Sequence, residues 1–363
     1  MRPACAPLAA VELQSGDLMP PIGFGTCCRP SASGSELVAS TLAFLQQGGR
    51  LIDTAQMYGN HREIAEAIRA SRVDRSELWL TSKVNTRVVK SRGAALRSIN
   101  TSLGELDLPF INLMLVHSSW GLTSQQLLDV WRALIQARDE GMVRNIGVSN
   151  LVRHQIEQLE QESGVRPAVN EIEFHPWVPN STFQLVEWCT SRGIAVTAYG
   201  SLGGSANSLG SSSEVSSLAK RHNVSNAQVL LRWSLQQGVA VIPGASSTEH
   251  IIENLHLPRF CLSQAESDGL IRSPMPRSFT RWYNLESEWG PLTRAWQYMT
   301  FSSIVLDISI VAALAVCVML AIRHRKHKQL QRADPLAMQD ANFTSEDPAE
   351  LELTSRPGAS SEE

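Results

Sequence analysis

Short apolar runs alternate with amphipathic stretches through roughly the first 275 residues. Eight runs read as strands: IGFG (22–25), LIDT (51–54), LWLTSK (78–83), LMLVH (113–117), NIGVS (145–149), VNEIE (169–173), AVTAY (195–199) and AVIP (240–243). Most are short and apolar, as strands covered on both faces are. Helical spacing lies between them: Leu37, Thr41, Phe44 and Leu45 before a Gly48-Gly49 stop; Ile64 and Ile68; Leu96, Ile99, Leu103 and Leu106; Leu127, Trp131, Leu134 and Ile135; and Val229, Leu230 and Trp233. Gly141 and Gly193 fall where helix C-termini are expected. Eight strands alternating with helices over about 250 residues predict a (β/α)8 barrel. The runner-up, an open doubly wound sheet, calls for a Gly-rich phosphate turn after its first strand. Gly23 and Gly25 have no third glycine or clear helix after them and read as backbone punctuation.

Beyond residue 275 the pattern changes. Residues 276–300 are rich in aromatics, Trp296 and Tyr298 among them, and suit a flap over the barrel mouth or a juxtamembrane belt. Residues 301–322 read FSSIVLDISIVAALAVCVMLAI. At about 1.5 Å per residue such a helix reaches a bilayer's hydrocarbon thickness. The sequence thus predicts a barrel over 1–275, a linking segment over 276–300, one transmembrane helix over 301–322 and a basic, then acidic, disordered tail over 323–363. The Gly/Ser run 201–213 is a flexible loop after the seventh strand, an active-site lid or a spacer, and its position at the catalytic face favours the lid.

Composition narrows the partners. Hydrophobic residues are 43 % and charged ones 18 %, which excludes a disordered chain. With 32 Lys and Arg against 35 Asp and Glu there is no global electrostatic case for nucleic-acid binding. The six cysteines show no metal-like spacing, and reduced thiols are expected.

In a barrel the chemistry sits at the C-terminal ends of the strands. Asp53, Lys83, His117, Ser149 with Asn150, Glu171 and Tyr199 all fall at or near strand ends, with Tyr58 just after the second. Each alone has a bland reading as a cap, a packed ring or a solvated strand end; together on one rim they do not. A phenol is a poor acid at neutral pH, and a neighbouring ammonium lowers its pKa. Asp53, Lys83 and Tyr58 supply anion, cation and phenol, and His117 can donate to a carbonyl oxygen. The set can protonate an oxygen while hydride arrives at carbon. No side chain provides hydride, so a cofactor must.

The motifs MPPIGFGT (19–26), LIDTAQMYGN (51–60), LWLTSKV (78–84), GMVRNIGVSN (141–150), RPAVNEIEFHP (166–176) and VSNAQVLLRWSLQQGVAVIPGAS (224–246) resemble the aldo-keto reductases, in order and spacing, over about residues 10–275. The resemblance implies a metal-free carbonyl reductase on a (β/α)8 barrel, using NADPH and less often NADH. It implies Tyr58 as general acid, Lys83 and Asp53 as its tuning pair and His117 as the group orienting the carbonyl. Gly25 and Thr26 match the first cofactor turn. Ser149, Asn150 and Glu171 match the groups that hold the nicotinamide carboxamide, and Tyr199 the stacking aromatic. Gly200, Ser201 and Leu202 continue the cofactor site. Gly244, Ser246, Ser247 and His250 match the adenosine-phosphate segment, and Glu253 and Asn254 the adenine contacts.

Departures from the family pattern carry information. Glu171 stands where Gln is usual and is expected to place a negative charge near the nicotinamide, favouring NADP+ over NADPH. Gly244 and His250 replace a Lys and an Arg, removing two cations from the phosphate site. GASST (244–248) resembles the potassium-channel β-subunit branch, where serine hydroxyls and backbone amides hold the phosphate. That likeness keeps a second reading open, a cofactor-sensing subunit of a membrane partner with little turnover. Ser118, Ser119 and Trp120 after His117, and Cys27 in place of an aromatic, alter the substrate wall. RHRKHK (323–328) places the tail in the cytosol by the positive-inside rule; NADPH supply places the barrel there instead, and the expectation follows the cofactor.

Overall fold

The structure is a computed structural model that describes residues 8–29, 31–203 and 212–276. Its main sheet has eight parallel strands in which each lies beside its neighbour in sequence. In chain order these are β3 (Gly23–Gly25), β4 (Leu51–Asp53), β5 (Trp79–Val84), β6 (Ile111–Val116), β7 (Val143–Ser149), β8 (Val169–Glu173), β9 (Ala195–Tyr199) and β10 (Ala240–Val241). A parallel bridge from Ile22 to Val241 joins first strand to last and closes the barrel. The Val241 N–H donates to Pro21 O at 2.9 Å across that seam. The predicted eighth run is shorter as a strand, because Pro243 has no N–H for the ladder. Its carbonyl instead accepts from the Gly25 N–H at 3.2 Å.

Gly23 and Gly25 are more than punctuation. Neither has a positive φ, yet a Cβ on Gly23 would sit 2.1 Å from Leu51 Cδ2, and one on Gly25 2.5 Å from Ile242 O. They are the residues small enough for the seam. The hairpin β1 (Val11–Glu12) and β2 (Leu18–Met19), unforeseen from the pattern, packs Leu13 and Met19 against Leu51, Trp79, Leu113, Val169 and Ile242. It therefore floors the barrel. Asn145 fastens it by accepting from Ser15 Oγ at 2.7 Å and donating to Asp17 Oδ2 at 2.6 Å.

A second and larger apolar layer lies between strands and helices, with Trp131 and Trp233 wholly buried in it. The five expected helices are present as α1 (Gly34–Gln46), α2 (His61–Ser71), α3 (Arg92–Leu106), α4 (Ser124–Asp139) and α8 (Asn226–Gln236). Capping boxes at Thr123 and Ser225 start α4 and α8. Gly48, Gly141 and Gly193 take positive φ just after helix ends, as expected. Five more helices escaped the periodicity: α5 (Arg153–Ser163), α6 (Asn180–Ser191), α7 (Ser213–His222), α9 (Thr248–Leu255) and α10 (Gln264–Arg272). Each of α5, α9 and α10 buries only two side chains, so the apolar stripe is too thin to read.

Cys27 and Cys28 lie side by side on the loop after β3, with Cys28 at φ 68°, and Cys189 is a free, buried thiol. Most of the Gly/Ser loop, nearly all of the 276–300 segment, the 301–322 span and the tail lie outside the described residues. Among the described residues no helix is long and apolar enough to cross a membrane.

Candidate active site

The strand register assembles the site. Asp53 ends β4, Lys83 is near the end of β5, and Glu171 lies within β8, all pointing into the barrel mouth. Lys83 Nζ donates to Asp53 Oδ1 at 2.6 Å and Oδ2 at 2.8 Å, and to Thr54 O at 3.0 Å. Glu171 Oε1 lies 3.2 Å from the same ammonium. All three charged side chains are at most 4 % exposed. Removing such groups from water costs several kcal/mol per ion unless each is paired. Here one cation is shared between two carboxyl groups.

The sharing fixes the protonation states. Burial works against the Lys83 charge, but Asp53 and then Glu171 outweigh it and hold the ammonium above its usual range. Burial pushes the Glu171 carboxyl up to about 8, and Asp53, to which it is hydrogen-bonded, pushes the same way. Burial and the neighbouring Asp53 therefore work against the expected standing negative charge beside the nicotinamide, because one ammonium is shared between two buried carboxyl groups.

Tyr58 follows β4 in a 3-10 turn, Gln56–Tyr58, ended by Gly59 at φ 67°. Lys83 Nζ is 5.4 Å from its ring centre. The ammonium does lower the phenol's pKa, but burial raises it more, so the net displacement is upward rather than the expected downward. Tyr58 thus holds its proton, the form a donor needs. His117 follows β6 and meets the Tyr58 ring edge-on, with centres 5.8 Å apart. Burial, helped by Lys83 and Arg87, pushes the imidazole down to about 3. His117 is neutral, and its Nδ1 is buried without a partner.

A second network lies alongside. Ser149 Oγ donates to Glu171 O at 2.9 Å, Asn150 Nδ2 to Ser149 Oγ at 3.0 Å, and Tyr199 OH to Asn150 Oδ1 at 2.7 Å. Asn150 holds φ 62°, in the left-handed region that Asn tolerates better than most residues. Thr26 is buried and donates through both N–H and Oγ1 to Asp53 O. Sequence reasoning missed Thr54 and Asn60 as support: Thr54 Oγ1 donates to Asn60 Oδ1 at 2.8 Å, and Asn60 Nδ2 to Thr26 O at 3.0 Å. The signal was a run of polar residues inside an otherwise apolar motif, LIDTAQMYGN.

The remaining predicted residues divide. Gly200, Ser201 and Leu202 follow β9, and the Ser201 hydroxyl is buried with no partner. The 244–247 loop reaches the site through Pro243 and Gly25. Ser247 caps α9 by accepting from the His250 N–H. His250, by contrast, is exposed. Glu253 accepts from Ser225 Oγ, and its backbone carbonyl accepts from Gln228 Nε2 at 3.1 Å, so its bonds go to α8 and its cap rather than to the strand-end cluster. Asn254 is buried on α9.

A closed parallel barrel with a phenol, a buried ammonium pair and a neutral imidazole at its C-terminal rim defines a class of oxidoreductase site. Residues 21–270 match the family model described as "Aldo/keto reductase family". The chain is 36 % identical to glyoxal reductase of Bacillus subtilis (strain 168) over 260 residues, covering 72 % of this chain and 91 % of that one. An aldo/keto reductase structure from Brucella melitensis superposes with TM-score 0.66 at 31 % identity, covering 73 % and 99 %. A Bombyx mori aldo-keto reductase in complex with NADP gives 0.66 at 28 % identity, covering 74 % and 93 %. The chain belongs to the aldo/keto reductase family. It is an NADP(H)-type oxidoreductase of carbonyl compounds. Its own residues fit that cofactor at the end of β9, where the buried Ser201 hydroxyl lacks a partner.

Proposed function

We propose that the chain reduces small aldehydes and ketones to alcohols with NADPH, and that Tyr58 gives the proton. The buried Asp53–Lys83 pair beneath Tyr58 carries this reading. NADPH supplies a hydride when bound. Neutral His117 donates a hydrogen bond to the carbonyl oxygen and orients it. The Tyr58 phenol passes its proton to that oxygen as charge builds there. Lys83 stabilises the phenolate left behind, and Asp53 holds the ammonium in position. Ser149 and Asn150 offer a hydroxyl and an amide to the nicotinamide carboxamide, and Tyr199 a ring to its face. The glyoxal reductase relative supports 1,2-dicarbonyls as the first substrates to try.

The test is NADPH oxidation by the full chain in detergent, with short, aromatic and long-chain aldehydes and dicarbonyls. Tyr58→Phe is expected to lose ~10²–10⁴ in turnover while NADPH binding is kept. Tight cofactor binding with no turnover by the native chain would favour the cofactor-sensing subunit instead.

The apolar run 301–322 supports a membrane anchor, which would bring the site to lipophilic carbonyls. The chain is then expected to stay in the membrane pellet after carbonate extraction. Release into the supernatant would sink the anchor.

A further inference from the structure

The phosphate end of the cofactor site lacks the two cations that the family resemblance places at positions 244 and 250. The structure shows what occupies the first of these places. Arg29, on the loop after β3, lies against Gly244. Its Nη1 donates to Gly25 O at 2.6 Å, and its guanidinium carbon stands 5.0 Å over the Phe24 ring. A Cβ on Gly244 would lie 2.5 Å from Arg29 Nη1 and 3.4 Å from its Cζ. Gly244 has no positive φ, so its backbone does not demand glycine. The guanidinium takes the room a side chain at 244 would need.

Arg29 is incompletely satisfied. Its Nε and Nη2 are buried without an acceptor, and no carboxylate among the described residues pairs with it. Burial lowers its pKa to about 10, which leaves it cationic at neutral pH. A partly buried guanidinium with two N–H groups unpaired favours the arrival of an anion. Ser31 and Ser246 share a hydrogen bond that ties the Arg29 loop to the 244–247 loop. At the start of α9 on that second loop, Ser247 accepts from the His250 N–H and is hydrogen-bonded to the Glu249 carboxyl, so a phosphate there takes the place of Glu249.

We propose that Arg29 is the cation that selects NADPH over NADH, reaching the cofactor's 2′-phosphate from the loop after β3 as a lysine at 244 would from the loop after β10. The proposal rests on the cofactor-site reading above. It accounts for a guanidinium seated beside Gly244 and for its two N–H groups without a partner.

The experiment measures cofactor affinity by quenching of tryptophan fluorescence in the full chain. The probes are NADPH, NADH, adenosine 2′,5′-bisphosphate and ADP. Arg29→Met is expected to weaken NADPH and the 2′,5′-bisphosphate by about 10–100-fold, the loss of one charge-assisted contact. NADH and ADP should move by no more than about two-fold, which also reports that the barrel is intact. Arg29→Lys should restore part of the loss. Adding Gly244→Lys to Arg29→Met should restore more, because the clash partner is gone and the charge returns from the other loop. A purely structural arginine would not be rescued in this way. Equal weakening of NADPH and NADH would assign Arg29 to the pyrophosphate and overturn the proposal, as would no change in either. Failure of the native chain to bind NADPH at all would overturn the cofactor site itself, a result distinct from the other two.

Discussion

Lys83 binds Asp53 closely and Glu171 more loosely, and burial raises the Glu171 carboxyl. Glu171 holds its proton up to about 8 in the folded chain, against about 4.5 in an ordinary environment. The folded state therefore binds this proton more tightly than the unfolded state. The resulting stabilisation is fully present below about 4.5 and is lost as pH rises through about 8. Unfolding free energy from urea titrations should fall between pH 5 and 8, and fall less in Glu171→Gln. Parallel pH curves for the two would show that Glu171 is ionised in the native state. That Glu171 departs from the family residue was readable from the sequence; its charge was not. The sign came from burial and from Asp53 beside it, neither of which a linear motif contains. The same holds for Tyr58, where the ammonium was foreseen but the larger effect of burial was not.

At the scale of elements, strand and helix order followed from the alternation of apolar runs, because parallel strands under helices are covered on both faces. The elements that escaped notice are those with little to bury, such as α5 with Ile156 and Leu159. Some glycines inside strands are packing residues. Gly147 in β7 has an ordinary φ, yet a Cβ there would lie 2.6 Å from Val169 O and 2.7 Å from Leu115 Cδ2. The first neighbour is backbone of the adjacent strand and cannot swing aside. Gly147→Ala is expected to destabilise the barrel by about 1–3 kcal/mol through overpacking. Urea unfolding checks this, and an unchanged midpoint would mean that the β7–β8 pair spreads to admit a methyl group.

The described barrel is floored and closed, with Asp53, Tyr58, Lys83 and His117 at one rim, and the sequence runs on into an apolar segment at 301–322. Three Asn-X-Ser/Thr sites on the barrel, at Asn100, Asn180 and Asn223, are exposed, and a fourth lies at Asn342 beyond the apolar run. They make membrane topology measurable. With a cytosolic barrel, glycans are expected on Asn342 alone when the full chain is made in cells with an endoplasmic reticulum. Glycans on the barrel sites would place the active site in the lumen and its NADPH supply with it.

The sequence by itself determined the barrel, the rim and the identities of Asp53, Tyr58, Lys83 and His117, because strand periodicity and strand-end position are local properties. Tertiary structure decided which charges these groups carry, what fills the space beside Gly244, and how the barrel closes at Ile22 and Val241. Those depend on burial and on contacts such as Ser31 with Ser246, 215 residues apart in the chain. A one-dimensional pattern records neither, since a residue's protonation and its free space are set by neighbours that only folding supplies.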